Sequence, residues 1–297
     1  MTVTKTLKDN IYSGDLILVN AMHGIVSGMA CPLVPVRPSA PSILMCSHAA
    51  EALNRLMREI DGWTSIVPVS GWRSREEQQK IWDDSLEENG ISFTRKYVAV
   101  PGHSEHQTGL AIDLGLRREP LDFICPAFPD TGTCRIFREK AAGHGFILRY
   151  PAGREEVTGI AHEPWHFRYV GKPHAEIITR EEMVLEEYID FIRKFPHGGT
   201  SYQIQCCGSI ASVSYIDAVG DVGTVLPQSH CASPTSTLSA HGFSTELPED
   251  DFCSASGTLP KDGLWSVSGN QPKDVSWSVS GNNVDGLIIT EWRDADE

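Results

Sequence analysis

The chain of 297 residues has few basic side chains and no run of them: 25 Lys and Arg stand against 39 Asp and Glu, a formal net charge of −14. Such a chain repels phosphate backbones and anionic lipid, so nucleic acid is not an expected partner. Long apolar runs are also missing. The only compact apolar run in the first twenty residues is 16–19, too short for a signal-peptide core or a membrane span. The sequence therefore predicts a cytoplasmic protein without a membrane span.

Cysteine spacings typical of a zinc knuckle or a dense disulfide scaffold are absent. The eight cysteines are scattered, none forms C-x-x-C, and Cys206 and Cys207 are adjacent. Reduced thiols are therefore the favoured interpretation. Cys125 and Cys134, which enclose CPAFPDTGTC, are the pair for which a disulfide is the alternative.

The composition changes near residue 200. Residues 1–200 carry 22 basic and 26 acidic groups, whereas residues 201–297 carry 3 and 13 and hold 16 serines and 9 glycines. The second region lacks an apolar stripe of helical period, so short strands and turns are predicted there. It contains a short echo: LWSVSGN at 264–270 and SWSVSGN at 276–282. We expect one domain over residues 1–197 and an acidic, Ser/Gly-rich, β-rich accessory region over residues 198–297.

The first region mixes helix and strand patterns without a regular βαβ rhythm, which predicts an α+β fold. Three helices are predicted from N-terminal caps and apolar spacing. The expected caps are Ser47, Ser74 with Glu77, and Thr179 with Glu182; Gly90 is expected to end the second helix. The segments expected as strands are 16–20, 65–72, 110–115 and 166–171.

Two histidine-containing segments carry candidate chemistry. PGHSEHQTG at 101–109 is a glycine-punctuated loop that runs into a strand, which places His106 and Asp113 at a loop-to-strand junction. HEPWH at 162–166 holds a proline that prevents a regular helix, so its carboxylate and last imidazole meet through a bend. Two imidazoles and one carboxylate with an open fourth position form a recurring catalytic zinc shell. Spacing alone leaves two interpretations open: a metal site, or histidines that satisfy backbone groups.

Three blocks stand in order along the chain: SGWRS at 70–74, SEHQTGLAIDLG at 104–115 and EPWHFRYVG at 163–171. They resemble the signature blocks of the zinc D-Ala-D-Ala peptidases of the VanY and VanXY type. The resemblance covers about residues 11–195. It implies a small central antiparallel sheet with flanking helices, as in hedgehog and D,D-peptidase domains, and one bound zinc.

Carried over position by position, the resemblance implies that His106, Asp113 and His166 bind zinc and that Glu163 is the general base. Arg73, in the first block, would stabilise the charge that develops on the carbonyl oxygen. A surface ion pair is the alternative for Arg73.

Three further residues are candidates for substrate binding. Ser104 is one by resemblance, Gln78 because it lies one turn into the helix after the first block, and Trp165 because it separates the base from a zinc ligand. Their structural alternatives are a turn-stabilising hydroxyl, a solvated helix surface and a buried packing aromatic, respectively.

The resemblance implies hydrolysis of the D-Ala-D-Ala bond in free dipeptide, at the end of a peptidoglycan-precursor pentapeptide, or in both. The expected partner is therefore a D-Ala-D-Ala-terminated peptide or dipeptide. A peptidoglycan endopeptidase and a non-catalytic zinc-containing binding module are the alternatives, and the presence of Glu163 and Arg73 argues against the second. A chain that ends near His197 is expected to fold and to hydrolyse the dipeptide, with effects of deletion on stability or on large wall-derived substrates.

Overall fold

The computed structural model describes residues 10–26, 31–118, 121–206, 208–218 and 275–294. The helices in this part of the chain are α1 (Ser47–Glu59), α2 (Arg75–Tyr97), α3 (Gly132–Ala141), α4 (Glu155–Thr158), α5 (His174–Arg180) and α6 (Leu185–Ile192). The strands are β1 (Leu33–Arg37), β2 (Ala40–Cys46), β3 (Ile66–Ser70), β4 (Ala111–Leu116), β5 (Phe146–Tyr150), β6 (Glu163–Tyr169), β7 (Tyr202–Cys206), β8 (Ser209–Asp217), β9 (Val275–Gly281) and β10 (Gly286–Asp294).

A central four-stranded sheet has the order β3-β4-β6-β5, with every neighbouring pair antiparallel. Its register sets Ser70 opposite Asp113, and Asp113 opposite His166. Helices flank this sheet, which confirms the predicted α+β class with a small central antiparallel sheet.

The apolar side chains of one sheet face decide where the polar ones point. Ile112 and Leu114 of β4 are fully or almost fully buried in a core that α1 and α3 complete. Because successive side chains of a strand alternate between faces, Asp113 is directed to the opposite face. Burial of two alternate apolar residues thus orients the carboxylate between them.

Helix boundaries follow the predicted caps in one case of three. Ser74 and Glu77 form the predicted capping box, in which the Glu77 N–H donates to Ser74 Oγ over 3.1 Å. Gly90 interrupts α2 with a φ of +77°, but a second helical stretch continues to the end of α2. The expected cap at Ser47 is wrong by one residue, because Cys46 is the N-cap and makes no side-chain cap bond.

The predicted capping box at Thr179 and Glu182 is also wrong. Thr179 lies inside α5, and Glu182 is in the following turn with a φ of +53°. The last helix begins later, where the Val184 N–H donates to the Glu187 carboxylate over 3.0 Å.

Three of the four predicted strands are present, as β3, β4 and β6. Residues 16–20 do not form a ladder; instead the Leu18 N–H donates to the Asn282 carbonyl oxygen, and the Asn283 amide donates to the Leu18 carbonyl oxygen. Cys125 and Cys134 are free thiols in the structure, in agreement with the favoured interpretation.

The C-terminal strands form a second four-stranded antiparallel sheet of order β7-β8-β10-β9, which confirms the β-rich expectation. The segment 276–282 supplies most of β9, whereas 264–270 lies outside the described residues. Side chains from both sides of residue 197, including Ile192 and Val213, share one apolar cluster. A domain boundary at residue 197 stays a prediction. Within the described ranges, no helix has the length and apolar character needed to cross a bilayer.

Candidate metal centre and catalytic pocket

Three buried side chains converge where the first histidine loop meets the central sheet. His106, Asp113 and His166 each offer one ligand atom, and these atoms lie within 4.8 Å of one another. His106 Nε2 is 3.1 Å from Asp113 Oδ2, and His166 Nδ1 is 3.0 Å from Asp113 Oδ1. The carboxylate therefore lies between the two imidazoles.

Backbone geometry sets the position of each member. His106 belongs to a 3₁₀ turn, Glu105–Thr108, which Gly109 ends at a φ of +72°. A Cβ at Gly109 would lie 3.2 Å from the Cys46 sulfur, so the turn needs glycine for both its φ and its close packing. Asp113 and His166 are register partners in β4 and β6.

The donor set fits a zinc ion. Nδ1 of His106 lies 2.7 Å from the carbonyl oxygen of Gly71, which can only accept, so Nδ1 carries the proton and Nε2 presents its lone pair. Burial and the nearby Arg73 lower the pKa of His106, which keeps its imidazole neutral. Two imidazole nitrogens and one carboxylate oxygen are typical ligands of catalytic zinc.

Metal binding at His166 is coupled to a proton. Burial lowers its pKa, but the hydrogen bond to Asp113 and the nearby Glu105 carboxylate outweigh burial and raise it to about 9. A cation at the triad competes with this proton, so binding releases it.

Glu163 lies beside the triad, with Oε2 3.7 Å from His166 Nδ1. Between Leu148 and Tyr150 the β5–β6 pairing shifts register, and the irregularity brings Glu163 and His166 near each other. The predicted bend is thus a bulge within β6. Burial raises the pKa of Glu163 to about 8, against the opposing effect of His166. A carboxylate with this pKa can accept and return a proton near neutral pH.

Arg73 lies in the pocket, so its ion pair is with the triad and not at an open surface. Its Nη2 donates to Asp113 Oδ2 over 3.0 Å, and its Nε donates to Ser70 Oγ over 2.8 Å. Gln78 is buried, contrary to the solvated alternative; its Oε1 accepts from Arg73 and its Nε2 donates to the Ala99 carbonyl oxygen. These contacts hold the guanidinium beside the triad.

The eight candidate site residues from the sequence, which are the three zinc ligands, the base, the arginine and the three substrate-binding candidates, all line one cavity of about 430 Å³. Ser104 is buried on its wall. Trp165 lines the cavity and also belongs to the apolar core under the sheet, so both interpretations of this residue describe its position. The cavity extends past Tyr150 to the exposed side chains of Phe123 and Ile124.

Sequence reasoning missed a fully buried ionic cluster behind the triad. Glu105 Oε1 accepts a hydrogen bond from Arg149 Nε over 2.7 Å and lies 2.9 Å from Arg168 Nη1. The second oxygen, Oε2, lies 3.5 Å from His166 Nε2. Burial raises the pKa of Glu105, but the two guanidinium groups outweigh it and hold that pKa well below its usual range. The available signal was the pair of arginines within otherwise apolar strand segments, FILRY and HFRYV.

Comparison with known proteins identifies the relatives of this arrangement. The sequence model for VanY, D-alanyl-D-alanine carboxypeptidase, matches residues 42–172. The bifunctional D-Ala-D-Ala dipeptidase and D-Ala-D-Ala carboxypeptidase VanXYC of Enterococcus gallinarum is 42% identical over 179 residues, which are 60% of this chain and 94% of that protein.

Two solved structures share the fold. The vancomycin-resistance D,D-dipeptidase VanXYg, in complex with a D-Ala-D-Ala phosphinate analogue, superposes with a TM-score of 0.76 at 37% identity, over 97% of both chains. A VanY D,D-pentapeptidase variant from the VanB-type resistance cassette, in complex with Zn(II), gives a TM-score of 0.50 at 32% identity, over 59% of this chain and 98% of that one.

Proposed function

The chain belongs to the VanY family of D-alanyl-D-alanine carboxypeptidases, and from this membership we propose that it is a zinc D,D-peptidase acting on D-Ala-D-Ala-terminated peptide or dipeptide. One observation carries the proposal. The three candidate zinc ligands lie together, and they line the same cavity as Glu163 and Arg73. The similarity to a bifunctional dipeptidase and carboxypeptidase supports both substrates, free dipeptide and precursor pentapeptide.

His106 Nε2, Asp113 and His166 Nδ1 are the atoms and groups that would hold the zinc ion. When bound, zinc supplies a Lewis acid that polarises the scissile carbonyl and lowers the pKa of water. The Nδ1–H of His106 donates to the Gly71 carbonyl oxygen, and this hydrogen bond fixes the ring orientation.

Glu163 is the proton carrier in this proposal. Its carboxylate accepts a proton from the attacking water and delivers it to the departing amine, which is the double role of a general acid–base group. Its burial next to the triad raises its pKa to about 8, so the carboxylate is a stronger base for the first step, while its protonated form is still acidic enough to deliver the proton to an amine in the second.

Arg73 stabilises the negative charge that develops on the carbonyl oxygen. Ser70 and Gln78 hold its guanidinium from two sides, so little reorganisation is needed when the charge appears. Ser104 and Trp165 lie on the cavity wall, where we assign them to substrate contact.

Metal analysis combined with D-alanine release tests the function. The purified protein is expected to hold one zinc per chain and to release D-alanine from free D-Ala-D-Ala, from a pentapeptide that ends in it, or from both. Cross-linked muropeptides are the comparison substrate. Zinc without any turnover would favour the binding module, and turnover of cross-linked muropeptides alone would favour the endopeptidase.

The organisation and location of the protein complete the proposal. We assign the peptidase to residues 1–197 and an accessory role to residues 198–297. A cytoplasmic location stays a prediction of the sequence, and cell fractionation with an antibody to the chain would test it.

A further inference from the structure

A second group of reactive side chains lies outside the catalytic cavity. Cys31 lies two residues before the start of β1, His48 is in the first turn of α1, and Asp15 belongs to the N-terminal segment. Cys31 Sγ is 3.5 Å from His48 Nδ1, and His48 Nε2 is 2.8 Å from Asp15 Oδ1. The imidazole therefore bridges a half-buried thiol and a carboxylate. The peptidase reaction assigned above uses none of the three.

This arrangement favours a thiolate beside an imidazolium. A hydrogen bond from the Cys46 thiol, with further help from His48, lowers the pKa of Cys31 to about 5 despite burial. Burial alone would lower the pKa of His48, but its bonds to Asp15 and Cys31 raise it to about 10. A cysteine beside a cationic histidine is reactive because the thiolate is the nucleophile.

The groups around the pair come from four parts of the chain. Besides Asp15 and Cys46, Ser47 Oγ of α1 lies 3.9 Å from Cys31 Sγ. From β6, the Tyr169 ring packs edge-on against His48, with 5.4 Å between the ring centroids. The positive charge of Arg168, also from β6, acts to lower the pKa of Cys46. The carboxylate of Asp15 is the partner that stabilises the positive imidazole.

A second thiol lies next to the first. Leu33 of β1 is the register partner of Cys46, and the Ser47 N–H donates to the Pro32 carbonyl oxygen, so the hairpin brings the two cysteines together. Cys46 is buried, and the hydrogen bond that it donates to Cys31, together with burial, raises its pKa, so it stays a thiol. A partly accessible thiolate, here Cys31, beside a protonated thiol, here Cys46, is typical of cysteine pairs that react with peroxide.

We propose that Cys31 is a site of oxidation by hydroperoxides and that Cys46 converts the resulting sulfenic acid into a Cys31–Cys46 disulfide. The Cys31 sulfur bonds to one peroxide oxygen as the O–O bond breaks; the sulfur is oxidised by two electrons and the peroxide is reduced. With hydrogen peroxide, the departing hydroxide takes the proton of the His48 imidazolium and leaves as water; with an organic hydroperoxide, the departing alkoxide takes this proton and leaves as the alcohol. The Cys46 sulfur then attacks the sulfenic sulfur, the S–O bond breaks, and the Cys46 proton leaves with the hydroxide as water.

The pair also touches the catalytic part of the molecule. Cys46 Sγ lies 3.5 Å from one backbone acceptor, the Thr108 carbonyl oxygen, and the Cys46 N–H donates to a second, the Gly109 carbonyl oxygen, over 2.9 Å. Both acceptors belong to the turn that holds His106. Oxidation of Cys46 therefore alters a group that packs against this turn.

Site-resolved alkylation of the full chain tests the thiolate. Iodoacetamide labelling is followed by peptide mass spectrometry from pH 4.5 to 8.5, with Cys125 as the internal control, because it is also half-buried and burial raises its pKa. The Cys31 rate is expected to change less than about twofold between pH 6.5 and 8.5, while the Cys125 rate rises about a hundredfold. A Cys31 rate that rises in parallel with Cys125 would overturn the proposal.

Two matched histidine variants test the role of His48. In His48→Asn, the midpoint of the Cys31 alkylation profile is expected to rise by at least about one pH unit. His144→Asn is the control. His144 pairs with a carboxylate, Glu59, as His48 does with Asp15, but its pair lies elsewhere, at the protein surface. An unchanged midpoint in His48→Asn, or an equal shift in both variants, would overturn the assignment.

Hydrogen peroxide tests the resolving step. The unsubstituted protein is expected to form the Cys31–Cys46 disulfide, Cys46→Ser to accumulate a Cys31 sulfenic acid that dimedone traps, and Cys31→Ser to leave Cys46 unmodified. Both serine changes are small, and a cooperative thermal unfolding transition like that of the unsubstituted protein establishes that each variant folds. A sulfenic acid that persists in the unsubstituted protein, or oxidation of Cys46 without Cys31, would contradict the proposal.

Discussion

Glu163 is the residue on which proton transfer depends, because it is the buried carboxylate beside the triad whose pKa burial raises. Glu163→Gln keeps the side-chain volume and leaves the three ligand groups in place. We expect one zinc per chain by metal analysis and a turnover number at least about a hundredfold lower. His166→Ala is the comparison, which should lose both zinc and turnover. Normal turnover in Glu163→Gln would place the base elsewhere.

Arg73 acts on the transition state in our assignment, so its loss should affect turnover more than substrate binding. In Arg73→Ala, we expect kcat to fall about a hundredfold with a smaller rise in KM, because the oxyanion loses a fixed cationic donor. Steady-state kinetics with free D-Ala-D-Ala provides the measurement. A rise in KM at constant kcat would instead assign Arg73 to ground-state binding.

Glu105 is a positioning residue that faces His166 from within the buried arginine pair. Glu105→Gln removes the negative charge behind the imidazole, so we expect zinc affinity to fall about 10-fold to 100-fold in a competition titration with a chelator. Glu186→Gln is the matched control, because Glu186 pairs with the same Arg149 but makes no contact with His166. The control should lose stability without losing affinity, and equal affinity losses in both variants would refute a specific role for Glu105.

At the scale of elements, α5, α6 and β10 meet at one buried histidine. His174, the first residue of α5, is hydrogen-bonded to the Tyr188 hydroxyl of α6 at 2.6 Å and to Thr290 Oγ1 of β10 at 3.1 Å. Burial lowers the pKa of His174 to about 4. The folded state therefore holds this imidazole neutral while it joins the C-terminal sheet to two helices.

The lowered pKa of His174 makes this junction sensitive to acid. A group with a folded pKa of about 4 and an unfolded pKa of 6.5 stabilises the fold fully above pH 6.5 and loses that contribution as the pH falls towards 4. At about 1.4 kcal/mol per pKa unit, the effect is on the order of 3 kcal/mol. Urea unfolding at pH 7 and pH 5 should show a smaller pH-dependent loss in His174→Gln than in the unsubstituted chain. His144→Gln, at the surface, should show the unchanged loss; identical losses in all three proteins would refute the assignment.

At the scale of the whole molecule, the C-terminal sheet packs on the helices that close the peptidase. Ile192 of α6 and Leu16 of the N-terminal segment share an apolar cluster with Val213 and Ile288 of the second sheet. Asn283 donates to the carbonyl oxygens of Leu18 and Gly24. The N-terminal segment thus has part of its backbone hydrogen bonding supplied by residues more than 250 positions away.

A chain that ends at residue 197 exposes the apolar side chains that this sheet covers. Each exposed core side chain costs about 1.5–3 kcal/mol, so we expect Tm to fall by about 10 °C or more. We still expect hydrolysis of free D-Ala-D-Ala at low temperature, because the cavity residues all precede residue 197. Calorimetry and a dipeptide assay check the two parts. A folded, zinc-bound chain that cannot cleave the dipeptide would show that the second sheet is needed for the reaction.

Features that depend on neighbours in sequence could be predicted without the structure. The capping box of Ser74 and Glu77 needs contacts across only three residues, and the alternation around Asp113 follows from the strand period. The three motif blocks likewise identified every residue of the triad, and the structure brings these residues together.

Features that depend on distant contacts were decided by the tertiary structure. Residues 16–20 have a strand-like pattern, but their hydrogen bonds go to Asn282 and Asn283 instead of a ladder. In the sequence, Glu105 is one more charged residue in a polar loop. In the structure, Arg149 and Arg168, which are 44 and 63 positions later, enclose its carboxylate. Local patterns determined where helices, strands and ligands occur along the chain. Burial and the long-range pairing of charges determined their final partners, because those free energies exist only once distant segments have excluded water between them.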